Sequence, residues 1–182
     1  MKTTVLKKLN NIFPVITSLS PGNENILIVS HLNLLFVLTC LKYHINYQYK
    51  LLSCISGVDF IDCKYRFGVV YDILSLVNNH RLRVKVFVNE ITPINSVIDL
   101  YINSNWWERE IWDLYGIYFN NHPDLRRILT DYGFEGNPMK RDFPLSGFIE
   151  VKYDQIKKRI TLEPVELSQE FRVFSYEMPW EQ

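Results

Sequence analysis

The ten residues from Trp106 to Tyr115 hold the densest group of reactive side chains in the sequence. Glu108, Glu110 and Asp113 are carboxylates of the kind that hydrolases use as general acid and base, and His122 follows as a possible imidazole partner. The same spacing has a plainer reading. On a helix, Glu108 and Trp112 lie one turn apart, as do Arg109 and Asp113. The segment then becomes a surface helix with internal ion pairs and a Trp/Ile/Leu face turned to a core. Carboxylates in structural networks are perturbed as readily as those in active sites, and spacing alone favours the structural reading.

Downstream, Asp124, Arg126, Arg127 and Asp131 mix signs in a short stretch, followed by Tyr132 and Phe134. Arginines interleaved with aromatics can stack single-stranded bases. Lys+Arg and Asp+Glu total 20 each, however, so the chain lacks the basic excess of a nucleic-acid binder. Pairing of these arginines with carboxylates, within the chain or on a partner, is the more economical reading. Metal chemistry fails on spacing. There is no CxxC and no HExxH, and His31, His44, His80 and His122 lie far apart. Cys40, Cys54 and Cys63 are too few and too scattered for a four-thiolate cluster, and read as buried structural thiols in a reducing compartment. There is no GxGxxG and no P-loop.

The elements that must position these residues follow from periodicity. Leu6, Leu9, Ile12 and Phe13 predict a short amphipathic helix, and Ser20–Asn23 a turn. Asn25–Val29, Tyr47–Val58, Tyr65–Leu76 and Arg81–Asn89 read as strands. In the last, Leu82, Val84, Val86 and Val88 alternate with Arg81, Arg83, Lys85 and Phe87, and Asn78–His80 supplies a hairpin turn. Helices are expected from His31 to about His44, capped by Ser30 with Leu32, Leu35, Phe36 and Thr39 on one face, from Ser96 to Ile102, and from Trp106 to Tyr115. Asn120–Gly147 should be a long ordered loop. Phe148–Tyr153 and Arg159–Leu162 form a second hairpin. The implied fold is α+β: a mostly antiparallel sheet with helices on one face, plus an extended C-terminal arm. The expected organisation is a core over residues 1–120, an ordered loop over 121–147, and a hairpin with a partner-binding arm over 148–182.

The 182 residues suit one domain with an appendage. The uncharged stretch Ile26–Leu41 would span only about 24 Å as a helix against a hydrocarbon core of about 30 Å, and is read as a strand followed by a helix. No secretory or transit signal is recognised at the start. Alanine is absent, which points to an AT-rich, organelle-type genome rather than to a physical need. Aromatics reach 14%, a fraction that large interfaces recruit.

Two stretches then carry a resemblance. Glu108-Arg109-Glu110-Ile111-Trp112-Asp113-Leu114-Tyr115-Gly116-Ile117 and His122-Pro123-Asp124-Leu125-Arg126-Arg127-Ile128-Leu129 resemble the signature of the subunit 9 family, bacterial counterparts included, of NADH:ubiquinone oxidoreductase, respiratory complex I. The likeness continues through Asp131–Gly136, Asp142–Gly147, Glu163–Leu167, Gln169–Arg172 and Pro179–Glu181, and upstream through Ile55–Asp59 and Arg81–Lys85. Asn137 stands where the family usually has His, and Met139-Lys140-Arg141 replaces its Leu-Arg-Lys order. The resemblance implies a hydrophilic peripheral-arm subunit of a complex that passes electrons from NADH to ubiquinone and translocates protons. It implies no catalytic residue, metal or cofactor on this chain, with FMN and iron–sulfur clusters in other subunits. Its partners would be other peripheral-arm subunits, especially those of the quinone-reducing module, with no nucleic acid and with membrane association only through the complex. The location implied is the matrix side of the mitochondrial inner membrane, or the cytoplasmic side of a bacterial one. Glu108, Arg109, Glu110, Asp113, His122, Asp124, Arg126, Arg127, Asp131, Phe134 and Arg141 are then candidate interface residues. Phe171, Arg172 and Trp180 join them on an arm whose Leu162, Leu167, Phe174 and Tyr176 a free tail would leave in water. Docking on neighbours is favoured over folding back on the chain's own domain.

Overall fold

The computed structural model describes the backbone of residues 16–19, together with residues 25–174, 176 and 180. The expected first helix and the Ser20–Asn23 turn lie outside the described residues, as do Glu177, Pro179 and Glu181. Two compact units are present, one up to Phe143 and one from Pro144 onward.

The first unit is built on a five-stranded sheet in the order β1-β2-β5-β4-β3. The strands are β1 (Ile16–Leu19), β2 (Asn25–Val29), β3 (Leu51–Asp59), β4 (Phe67–Ser75) and β5 (His80–Val88). β3, β4 and β5 form an antiparallel meander. β1 pairs antiparallel with β2, and β2 runs parallel to β5, with Leu27 opposite Val84. The α+β class and the mostly antiparallel sheet are those expected. The parallel β2–β5 ladder in this sheet is an addition, hidden from local patterns because a helix and a hairpin separate its strands in sequence.

Alternation in β4 and β5 decides the core. Phe67, Val69, Tyr71 and Ile73 face the same side as Leu82, Val84, Val86 and Val88, and all are buried. Against this face pack α1 (Leu34–Tyr43) and α2 (Ser104–Tyr115). α1 begins later than expected, after a 3-10 turn at His31–Asn33, and Ser30 offers no side-chain cap. Its inward face is Leu34, Val37, Leu38 and Leu41. Leu32 and Phe36 are exposed, and the Thr39 hydroxyl donates back to Leu35 O at 2.7 Å. The wholly apolar i, i+3, i+4, i+7 stripe displaces the one containing threonine.

Other differences have local causes. β3 starts at Leu51 rather than Tyr47 because Gln48 adopts φ 46°, which breaks the extended run. The β4–β5 turn is Leu76–Asn79, with Asn79 at φ 49°, and His80 already belongs to β5. The expected Ser96–Ile102 helix closes a single turn, Tyr101 N–H to Val97 O at 2.8 Å. Its expected start, Ser96, instead donates its N–H to Asn120 O at 2.9 Å, directly after the two-residue strand β6 (Ile94–Asn95), which lies parallel to β7 (Phe119–Asn120). The cysteines are not a buried set: Cys63 is exposed and Cys40 and Cys54 are half-buried. The Cys54 thiol sits 3.7 Å from Asp72 on the solvent side of the sheet, where Arg83 grips the same carboxylate at 2.7 and 3.2 Å.

The second unit holds the hairpin β8 (Ile149–Asp154) and β9 (Arg159–Pro164), as expected from the sequence. Its register places Ile149, Val151 and Tyr153 opposite Pro164, Leu162 and Ile160 on one face. Glu150, Lys152 and Asp154 oppose Glu163, Thr161 and Arg159 on the other. Residues 165–174 form neither helix nor strand.

Candidate functional site

α2 reverses the expected orientation of its charges. Of its carboxylates, Glu108 and Asp113 are fully buried and only Glu110 keeps partial exposure. Gly116 ends the helix at φ 77°, and its N–H returns to Trp112 O at 3.0 Å. The Asn137 amide donates to Asp113 O at 3.0 Å, covering a carbonyl that the helix end leaves unpaired.

Asp113 organises the loop. Its Oδ2 accepts the N–H groups of Ile128, Leu129 and Thr130 at 3.2, 2.8 and 2.9 Å. Its Oδ1 accepts the Thr130 hydroxyl at 2.6 Å and Arg127 Nη1 at 3.3 Å. Burial pushes this carboxyl up, but the donated hydrogen bonds outweigh it and hold Asp113 below the usual range. The expected Arg109–Asp113 pair does not form. Arg109 donates instead to the carbonyls of Arg126 and Arg127, at 3.1 and 3.3 Å. Three consecutive backbone N–H groups make a stronger claim on Asp113 than one mobile guanidinium.

The remaining loop residues are placed as follows. Arg126 pairs with Asp124 at 3.1 Å on the surface. Arg127 also reaches Gly136 O at 3.0 Å and lies 6.0 Å from the centre of the Phe134 ring, which contacts Phe143. Both arginines thus pair with carboxylates of this chain. Asp131 accepts the Tyr132 N–H at 2.8 Å. The Arg141 N–H donates to Asp59 at 2.9 Å, beside a bidentate Arg66–Asp59 pair at 2.9 and 3.0 Å. Arg66 also binds Asp142 at 2.8 Å, so the end of the loop is tied to the end of β3. In the second unit, Phe171 and Trp180 are exposed and Arg172 lies over Phe174.

Glu108 and His122 do come together, with Glu108 Oε2 3.9 Å from His122 Nε2. Glu108 accepts Ser96 Oγ–H at 2.6 Å and Val97 N–H at 2.8 Å. His122 Nδ1 accepts the Asp124 N–H at 3.1 Å, which leaves Nε2 to donate toward Asn105 O at 3.3 Å. Burial raises the Glu108 carboxyl to about 7, against the pull of its Ser96 and Val97 bonds. Both side chains have zero exposure, so no substrate reaches the pair, and the acid/base reading loses its site. Of the other residues that build the site, the sequence named Ser96 only as a helix start, and Asp59 and Asn137 only within the resemblance; Thr130 and Arg66 were not singled out, since nothing local marks a residue whose partner is distant in sequence.

A helix that spends its buried carboxylates on backbone donors, and so fixes the path of a following loop, belongs to the class of structural, surface-presenting elements. The comparisons name the family. The profile described as "Respiratory-chain NADH dehydrogenase, 30 Kd subunit" matches residues 27–149, and the chain belongs to that family. The chain is 55% identical over 150 residues to NADH-ubiquinone oxidoreductase subunit 9 of Reclinomonas americana, covering 82% of this chain and 74% of that protein. It is 54% identical over 160 residues to NADH dehydrogenase [ubiquinone] iron-sulfur protein 3 of Marchantia polymorpha, covering 88% and 82%. Among solved structures, a trypsin-resistant fragment of Nqo5 matches with TM-score 0.60 at 25% identity, covering 69% of this chain and all of that one. A chain of an archaeal membrane-bound sulfane sulfur reductase matches in fold, with TM-score 0.67 at 19% identity over 79% of this chain and 85% of that one.

One relative's name mentions iron and sulfur, and the donor set does not fit such a group. Among the described residues, no three His, Cys, Asp or Glu side chains converge to hold a metal ion. Cys40 lies on α1, Cys54 bonds Asp72 on the sheet and Cys63 is exposed, so these thiols do not form a cluster cradle. Among the described residues, no helix is long and apolar enough to cross a membrane.

Proposed function

We propose that the chain is a scaffold subunit of the peripheral arm of a respiratory NADH:ubiquinone oxidoreductase, with no catalytic residue, flavin, cluster or nucleotide site of its own. It would lie on the matrix side of the inner membrane, against the subunits that form the quinone-reducing module. The observation that carries this reading is Asp113. The central acid of the family signature is fully buried and both its oxygens are occupied by loop donors, so the signature maintains a shape. Arg127→Ala is the test. Asp113 would keep its three backbone donors and Thr130, so the loss should be about 1–2 kcal/mol, below the ~3–5 kcal/mol of a stranded buried charge. Blue-native electrophoresis should show less assembled complex with near-normal NADH:ubiquinone turnover per assembled particle. Intact assembly with abolished turnover would reopen a chemical role for the loop.

A further inference from the structure

Beside α2, a cleft of about 690 Å³ opens between the helix and the loop that Asp113 holds. Ile102, Trp106, Trp107, Ile128 and Leu129 give it an apolar lining. Ile102, Trp106 and Leu129 are 86%, 70% and 62% exposed, so the concavity is rimmed by large apolar side chains that water covers. Such contiguous apolar surface marks an interaction site. Glu110 is the one formally charged residue in the lining, and it has no salt-bridge partner among the described residues. The wall is pre-formed. Asp113 binds the N–H groups of Ile128 and Leu129, and Arg109 binds the carbonyls just before them. A partner therefore need not order this loop on binding.

We propose that this cleft seats a segment of a neighbouring subunit that carries an arginine between aliphatic side chains. The reading rests on the scaffold function above and names the chemistry of one contact. A guanidinium lies flat on an indole face and forks a carboxylate, so Trp106 and Glu110 together suit arginine better than the compact, strongly hydrated ammonium of lysine. The flanking aliphatic groups cover Ile102 and Leu129. A small-molecule site of this volume converges several polar groups on its ligand; of the two asparagines in this lining, Asn103 already donates its amide to Leu52 O at 2.7 Å, which leaves Asn105 and the Glu110 carboxylate beside the apolar side chains.

The test uses the assembled complex. A photo-crosslinking amino acid at Ile102 should label one peptide of another subunit, and that peptide should contain an arginine. Glu110→Lys should lower the assembled complex several-fold on blue-native gels while leaving the melting temperature of the isolated chain unchanged. Arg→Glu at the crosslinked arginine should restore assembly to the Glu110→Lys chain. The proposal is overturned if Ile102 labels only lipid, a small molecule or this chain itself, or if Glu110→Lys assembles at wild-type levels. Those results leave the scaffold function standing. Absence of the wild-type chain from the complex would remove both readings.

Discussion

In β5, Leu82, Val84, Val86 and Val88 are 2%, 0%, 0% and 1% exposed. In the β8–β9 hairpin, the alternating apolar set Val151, Tyr153, Ile160 and Leu162 is 66%, 59%, 70% and 70% exposed. The two regions carry the same period-two pattern and meet opposite fates. The first unit covers its sheet with α1 and α2 from its own chain. The second has two strands and a stretch without regular structure, and a lone hairpin is marginal in water. Alternation therefore identifies an apolar face but does not say which chain supplies its cover. Within the complex, the second unit is expected to find that cover on other subunits.

The contrast predicts that substitutions at buried positions of the first unit destabilise the free chain, whereas those on the exposed hairpin face act on assembly. Asp113→Ala should have the largest effect. It removes at once the acceptor of three backbone N–H groups, the Thr130 hydroxyl and Arg127, and should cost about 3–5 kcal/mol in urea denaturation of the purified chain. A loss under 1 kcal/mol would show that the loop is not held by this acid.

Next in size are two opposed pH effects within the same helix. Asp113 titrates lower in the fold than in the unfolded chain, so its contribution is complete above the ordinary carboxylate range and disappears as pH falls through the folded value. Glu108 runs the other way. Between its ordinary value of 4.5 and about 7, the folded chain keeps a proton that the unfolded chain has released, so stability declines as pH rises through that window. The decline should be on the order of 3 kcal/mol, and Glu108→Gln should abolish it while keeping the Val97 bond. Urea midpoints between pH 4 and 8 decide this, and an equal slope in both proteins would refute the assignment.

Gly57→Ala should follow. α2 crosses β3 so closely that a Cβ at Gly57 would stand 2.6 Å from Cδ2 of the Tyr115 ring. The ring must move, at about 1–3 kcal/mol. A crystal structure of the variant should show Tyr115 displaced, and unchanged thermal stability would contradict the packing.

Leu162→Ser should have the smallest effect on the isolated chain, within about 0.5 kcal/mol, because the side chain is already in water. The same variant should reduce incorporation into the complex. A marked loss of stability in the free chain would mean that the hairpin is covered by this chain after all.

Much of the sheet was legible because local patterns carry it. β5 follows from alternation, β4 from a β-branched and aromatic run, the β8–β9 hairpin from two short runs joined by a charged turn, and the end of α2 from Gly116. What stayed hidden depends on partners distant in sequence. The bonds to Asp113 come from residues 14 to 17 positions away, and their donors are backbone groups that every residue possesses. Arg109, four residues before it, therefore looked like the natural partner of Asp113. β6 and β7 are two residues each, too short for any period to register. The inward turn of Glu108 depends on Ser96 and Val97, where the sequence suggested only a helix cap. The family signature grouped Glu108 to Arg141 together, whereas the division into residues that hold the loop, such as Asp113, and residues that face outward, such as Glu110, depends on the fold.

The parallel ladder between β2 and β5 has a kinetic consequence. α1 and the whole β3–β4 hairpin lie between these two strands in sequence. The β4–β5 hairpin closes over a short turn, whereas Leu27 can reach Val84 only after a long loop has been gathered in, at an entropic cost met before the ladder gives any return. Refolding should then be ordered, with the β4–β5 ladder acquiring protected amides first and β2 adding to the far side of β5 last. Pulse-labelling hydrogen exchange would read that order directly, and simultaneous protection of Leu27 and Val84 would show a single concerted step. During synthesis, β2 would leave the ribosome well before its partner β5, exposing an apolar strand for other surfaces to capture.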